Sequence, residues 1–305
     1  MTRGARAALA VVAAAALFGT SATSIALLAP DAPRASVAGM RLLVGAAGLV
    51  VFVAARGGFG GLLRLWRRPL VWVMGLAVAG YQACFFLGTE RTGVAIGTLV
   101  SLAFAPFLAG LLGWALREGA PGWIWAVSTV LAVIGVGLLV SGDFGSGQGD
   151  SGGMLLAAGA GACYAVYTVL GVRLSREGAS SSSVLAASFS IGAVVLLPSA
   201  LGSTWWWSPS GIAEVLWLGL VTTTLAYLLF GVGLQVLQPG HIATLNLFEP
   251  AVATILGVTI LGEQLGLAGW IGVVVILAAL ALLGIADNLR GGSDAGREKD
   301  QEAIA

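Results

Sequence analysis

Apolar residues run along the chain in long blocks separated by short polar breaks. Ten blocks stand out, at 7–29, 35–55, 70–89, 93–115, 122–141, 153–172, 184–201, 212–233, 241–261 and 268–286. Each is about 20 residues long, enough to cross a hydrocarbon core of ~30 Å at ~1.5 Å per helical residue. The pattern predicts an all-α integral membrane protein with ten transmembrane helices, neighbours running antiparallel because most breaks are short. The longest connections are Arg56–Pro69, with four arginines, and Gly142–Gly152, which divides the chain nearly in half. Trp205, Trp206 and Trp207 fall between the seventh and eighth spans, where an interfacial aromatic belt is expected. The first residues, Met-Thr-Arg-Gly-Ala-Arg, imitate a secretory signal. The apolar run from Ala7 to Ala29 is nevertheless long enough to span and is expected to stay in place.

Composition agrees with this pattern and removes several functions. Hydrophobic residues make up 58% and charged residues 10% of the chain, where a soluble domain carries about 25% charge. Mean hydropathy is +0.97. The single lysine, Lys299, lies in the polar tail 287–305, so a phosphate-loop or Schiff-base lysine within the membrane is excluded. All six aspartates fall outside the spans, and the one histidine, His241, sits at a span edge. Neither an aspartyl nor a serine–histidine membrane protease fits, and no metal-ligand cluster is present in the sequence. Cofactors, metals and nucleic acid are not expected partners; a small-molecule substrate and the lipid bilayer are. Cys84 and Cys163 lie in apolar runs and read as packing residues.

Charge sets the orientation. With the N-terminus inside, twelve basic residues fall on the inner side, two (Arg34 and Arg91) on the outer side, and Arg41 lies within the second span. The positive-inside rule then puts both termini in the cytoplasm and the 142–152 linker outside.

The two halves repeat each other. Gly75 and Gly219, Phe86 and Phe230, and Pro106 and Pro250 stand 144 positions apart. Glu118 with Gly122-Trp-Ile-Trp125 is echoed by Glu263 with Gly269-Trp-Ile-Gly272. Five spans is an odd number, so the second half, 153–286, enters from the side opposite to the first, 7–141. That is an inverted-topology repeat, in which a secondary transporter builds its site between the halves near the midplane.

These landmarks resemble the drug/metabolite transporter superfamily, specifically ten-helix members with two EamA repeats. The resemblance rests on Leu17-Phe-Gly-Thr20, the Ala35–Arg41 approach, Gly161-Ala-Cys-Tyr-Ala-Val-Tyr167, Leu247-Phe-Glu-Pro250 and Leu261-Gly-Glu263. It implies export of small metabolites, amino acids or drugs across a bacterial-type cytoplasmic membrane. The second half has no arginine matching Arg41; Ala187 stands near that place. A channel or a non-transporting structural protein is the alternative reading of the same residues.

Candidate site residues follow from depth and helical spacing. Glu249 lies eight residues, about 12 Å, into the ninth span. A carboxylate there costs roughly 2.5 kcal/mol or more and marks function by default. It is the candidate coupling residue, with protons as the coupling ion; a structural acid that fixes helix packing is the competing reading. Arg41, about 9 Å inside the second span, is an anion anchor or partner for an acid, or else snorkels to the outer interface. Thr20, Gln82, Tyr164, Tyr167, Thr223 and Asn246 fall on stripes that could line a substrate pathway, although small and hydroxyl residues also serve close helix packing. His241 and Glu118 read as edge residues with capping or loop-closing roles, as does Glu263.

Overall fold

The computed structural model describes residues 2–92, 94–141, 150–262 and 264–283. Glu263, Gly93, the 142–149 part of the linker with Gly145–Gly149, and the tail from 284 onward lie outside the described residues. Seven helices are long and apolar enough to cross a membrane, and three shorter apolar helices accompany them, Trp123–Leu139, Ser181–Val195 and Leu267–Leu283. The ten expected spans therefore each find a helix among the described residues.

In order, the first half comprises α1 (Arg3–Leu28), α2 (Arg34–Ala55), α3 (Phe59–Leu65), α4 (Pro69–Thr92), α5 (Val94–Ala115) and α6 (Trp123–Val140). The second half opens with α7 (Ser151–Arg176), α8 (Ser181–Val195), the short α9 (Leu197–Leu201) and a 3-10 turn at Trp205–Trp207. It continues through α10 (Pro209–Leu216), a π-helical stretch Trp217–Leu225, α11 (Ala226–Leu234), α12 (Pro239–Leu245), α13 (Phe248–Ile260) and α14 (Leu267–Leu283). Side-chain caps fix several starts. Thr2 accepts from the Ala5 amide, Asp150 from those of Gly152 and Gly153, and Ser208 from that of Gly211, with Pro209 in the first helical turn. The connection expected over Arg56–Pro69 contains α3, whose Leu62 and Leu65 are buried. Seven residues with two buried leucines make an amphipathic turn too short to read as a span.

Packing respects the duplication. α4 packs along α7, and α1 along α10–α11; α5 packs on α7, and α1 on α13; α4 meets α8, and α2 meets the π-helical stretch. Exchanging the halves maps each pair onto the next, while α2 with α8 and α5 with α12 map onto themselves. Direction is inverted as the odd span count requires. The first part of α1 touches the end of α11, Val11 against Gly233, and likewise the start of α7 touches the end of α4, Gly153 against Thr92, so both pairs are antiparallel. A Cβ at Gly88 would lie 2.9 Å from the backbone nitrogen of Ala157, so glycine here sets how closely α4 and α7 approach.

The two ends differ chemically. At one end Arg68 pairs with Glu177 at 2.8 Å, and Arg176 donates to both the carbonyl (2.6 Å) and Oε2 (3.2 Å) of Glu118. Glu118 therefore ties the connection between α5 and α6 to the end of α7. At the other end Ser36 is the hub: its hydroxyl donates to the Ala200 carbonyl and accepts from Trp205 Nε1 and Ser203 Oγ. Both cysteines are half-buried free thiols, and His241 is buried in the first turn of α12 rather than solvated.

Candidate functional site

Two departures from regular helix, both in the second half, position the polar groups. The first is the π-helical stretch. Its three consecutive threonines donate to carbonyls behind them: Thr222 to Leu218 (2.9 Å), Thr223 to Leu218 (2.8 Å) and Thr224 to Gly219 (3.0 Å). The last two bonds reach back five residues, so the hydroxyls complete the widened turn. The sequence pattern had this span, 212–233, as regular helix; a run of threonines does not disturb apolar periodicity and so leaves no mark in it.

Arg41 uses that widened turn. Its Nε donates to Thr223 Oγ1 at 3.1 Å, and Nη2 approaches the Thr222 carbonyl at 3.5 Å. Gly45, one turn further along α2, packs directly on Thr223. The guanidinium thus turns along α2 toward the bundle interior rather than out to the interface. It forms no ion pair with a carboxylate among the described residues.

The second departure is a break in the ninth span, which the pattern had as one continuous helix. α12 ends at Leu245 and α13 begins at Phe248. Bonds reaching back only three residues tighten the join, Leu247 N–H to the Thr244 carbonyl and Glu249 N–H to the Asn246 carbonyl, both 3.0 Å. Pro250 sits in the first turn of α13, where its missing N–H removes no intrahelical bond. At this join Asn246 Nδ2 donates to Glu249 Oε2 at 3.2 Å, and Asn246 Oδ1 is buried without a partner among the described residues. Glu249 itself is half-buried. Its backbone carbonyl lies where Gly19 of α1 leaves room: a Cβ on Gly19 would stand 2.7 Å from that oxygen.

Aromatic rings gather beside these groups. All four tyrosines of the chain join one cluster. Tyr164 and Tyr167 are 4.9 Å apart between ring centroids, and Tyr81 lies edge-on to both at 6.1 and 6.4 Å. Phe230 links Tyr167 to Tyr227, whose hydroxyl lies 3.4 Å from that of Tyr167. Phe18 and Phe189 close around Tyr227 at 5.0 and 4.3 Å. The Glu249 carboxylate is within electrostatic reach of Arg41 and of Tyr81, Tyr164 and Tyr227.

Of the residues singled out by sequence, the fold brings together Tyr164 with Tyr167, Asn246 with Glu249, and Arg41 with Thr223. Gln82 is buried beside Tyr81 on α4. Thr20 stands apart: its hydroxyl donates to the Leu17 carbonyl and accepts from Trp217 Nε1 at 3.2 Å. Thr223 is 1% exposed and holds Arg41 from within the packing. Sequence reasoning missed Tyr81, Tyr227 and Glu214. Four tyrosines in 305 residues, each on an apolar span, was a readable signal for the first two. The Ser208–Pro209 start signal would have moved the start of the eighth span outward from 212 and set Glu214, its third residue, deeper.

A multi-pass helical bundle made of two repeated halves is the architecture of a membrane transporter. The EamA-like transporter family model matches residues 5–141 and 151–285, and the chain belongs to that family. It is a transporter, not an enzyme. It is 34% identical over 280 residues to the uncharacterized transporter YwfM of Bacillus subtilis (strain 168), covering 90% of this chain and 93% of that protein. It is 32% identical over 205 residues to the threonine/homoserine exporter RhtA of Escherichia coli (strain K12), covering 65% of each. A solved crystal structure superimposes with a TM-score of 0.77 at 21% identity, covering 92% of this chain and 97% of that one; it bears on the fold alone. The two family matches begin 146 residues apart. Phe18 and Tyr164, and Tyr81 and Tyr227, are separated by that same 146, unlike the landmarks at 144. The matches end 144 residues apart, and at the 146 spacing the contact of Tyr81 with Tyr164 is mirrored by that of Phe18 with Tyr227.

Proposed function

We propose that this transporter exports small amino acids or related polar metabolites across the cytoplasmic membrane, exchanging them for protons at Glu249. One observation carries the reading: a half-buried carboxylate at a helix break, hydrogen-bonded by Asn246. A carboxylate that meets neither full solvent nor an ion-pair partner can take up and release a proton as access alternates between sides. Arg41, fixed by Thr223, keeps donor capacity for a substrate carboxylate, and tyrosine rings offer an apolar wall with polar tips. The name of the relative RhtA, a threonine/homoserine exporter, supports an amino-acid substrate and the outward direction. With both termini cytoplasmic, outward transport takes substrate from the arginine-rich end.

Cells that make the protein and cells that lack it, challenged with toxic concentrations of amino acids and of other small metabolites, test the reading. Resistance and faster extracellular accumulation for a subset of amino acids is the expected result. Resistance confined to apolar drugs would replace the substrate class, and no difference for any compound would count against export. Reporter fusions after Gly149 and after Asp287 should give opposite sidedness, with the second inside.

A further inference from the structure

Glu214 on α10 is 0% exposed, and nothing above gives it a role. It lies five residues, about 7.5 Å, inside the eighth span, at the end of the bundle away from the clustered arginines. Its Oε1 is 3.0 Å from Ser24 Oγ on α1, while Oε2 is buried with no partner among the described residues. Ser24 Oγ is also 3.0 Å from the Ser21 carbonyl, and Ser21 Oγ is buried and unpartnered as well.

Counting hydrogens decides what this arrangement is. A serine hydroxyl has one hydrogen to donate, and an ionised carboxylate has none. With Glu214 ionised, Ser24 must divide its hydrogen between two acceptors, and a fully buried anion is left with half a bond. With Glu214 protonated, the chain runs in one direction: Glu214 Oε1–H donates to Ser24 Oγ, and Ser24 Oγ–H donates to the Ser21 carbonyl. Every short contact is then a hydrogen bond, and the orphan Oε2 is the carbonyl oxygen of a neutral acid, which is far cheaper to bury than an anion. The elements packed against α10 are α1, α2, the Trp205–Trp207 turn and the π-helical stretch. Their charged or titratable side chains are Arg3 and Arg6 at the far end of α1, and Arg34 and Arg41 on α2. Arg41 is the one that acts electrostatically on Glu214, and it makes no ion pair with it.

We propose that Glu214 is a second proton-binding site of this transporter, protonated in this conformation and latching α1 to α10 through Ser24. The proton comes from the aqueous phase at that end and returns there when the contact opens, no other bond being made or broken. A metal cation is a poor alternative occupant, since a single hydroxyl accompanies the carboxylate. The assignment stands whether or not Glu249 exchanges protons.

Infrared difference spectroscopy across a pH step, on protein reconstituted in lipid vesicles, reads it directly. The carbonyl stretch of a buried protonated carboxylic acid is expected in the parent, lost in Glu214→Gln and kept in Glu249→Gln. Glu214→Gln should accumulate like the parent, because its amide still donates to Ser24. Should that variant fail to fold, Ser24→Ala takes its place: loss of the acceptor hydroxyl should shift the same band. An unchanged carboxylic-acid spectrum in Glu214→Gln, or an unshifted one in Ser24→Ala, would overturn the proposal, as would a band that answers to sodium instead of pH.

Discussion

The first repeat keeps its third and fourth spans as unbroken helices, α4 and α5, although α5 contains Pro106. The second repeat interrupts both: the span matching α4 widens into a π-helix, and the span matching α5 breaks at Asn246 and Leu247. Proline alone does not account for the difference, since both repeats have one. What the second repeat adds is polar side chains at the interruptions: three threonines whose hydroxyls bond backbone carbonyls in one span, and Asn246, which bonds the Glu249 carboxylate, in the other. Each interruption also positions polar groups, Thr223 and the Thr222 carbonyl against Arg41, and Asn246 against Glu249. Arg41 comes from the first repeat and has Ala187 as its counterpart 146 positions on. A symmetric frame therefore holds an asymmetric set of polar groups.

Substitutions placed at matching positions of the two repeats probe this asymmetry. The largest effect is expected at Arg41: Arg41→Ala should reduce export by at least about tenfold, and Arg41→Lys should not restore it, because an ammonium lacks the guanidinium fork. Ala187→Ser, at the matching place, should leave export at the parent level. Gly19→Val drives a side chain into the Glu249 carbonyl and Val252, and should cost about 1–3 kcal/mol of stability, read as a lowered Tm in detergent. Its counterpart Ala165 already carries a Cβ, so Ala165→Gly should have a smaller effect. Thr224→Val removes hydroxyl contacts to the Gly219 and Gly45 carbonyls and should cost about 0.5–1.5 kcal/mol. The smallest effect is expected from Tyr227→Phe. At 3.4 Å its contact with Tyr167 is long for an O–H···O bond, so stability should change by under about 0.5 kcal/mol. A larger loss would give that hydroxyl a structural task of its own.

Much of this frame is legible without coordinates, because a bilayer enforces apolar blocks of fixed length and internal backbone bonding. The ten spans, their alternation and the duplication follow from such blocks. Glu249, Asn246 and Tyr164 with Tyr167 were legible too, as polar residues at depth or at helical spacing. What was hidden depends on geometry that periodicity averages over. Thr222, Thr223 and Thr224 read as ordinary helix because hydroxyls that bond backwards do not alter the hydropathy pattern. Glu214 was passed over because its burial comes from α1, distant in sequence. Tyr81 and Tyr227 acquire meaning only when the 146-residue register is used in place of 144.

Glu249 carries the central claim, and Glu249→Gln tests it most directly because the amide keeps size and hydrogen bonding but cannot release a proton. Purified parent and variant would be reconstituted in vesicles and given an exported amino acid with an imposed pH gradient, then with none in a counterflow format. The parent should move substrate against its gradient when pH differs across the membrane. The variant should lose that concentrative movement by at least about tenfold while still exchanging substrate in counterflow. If Glu249→Gln concentrates substrate as well as the parent over a range of pH, the acid fixes packing and the coupling lies elsewhere.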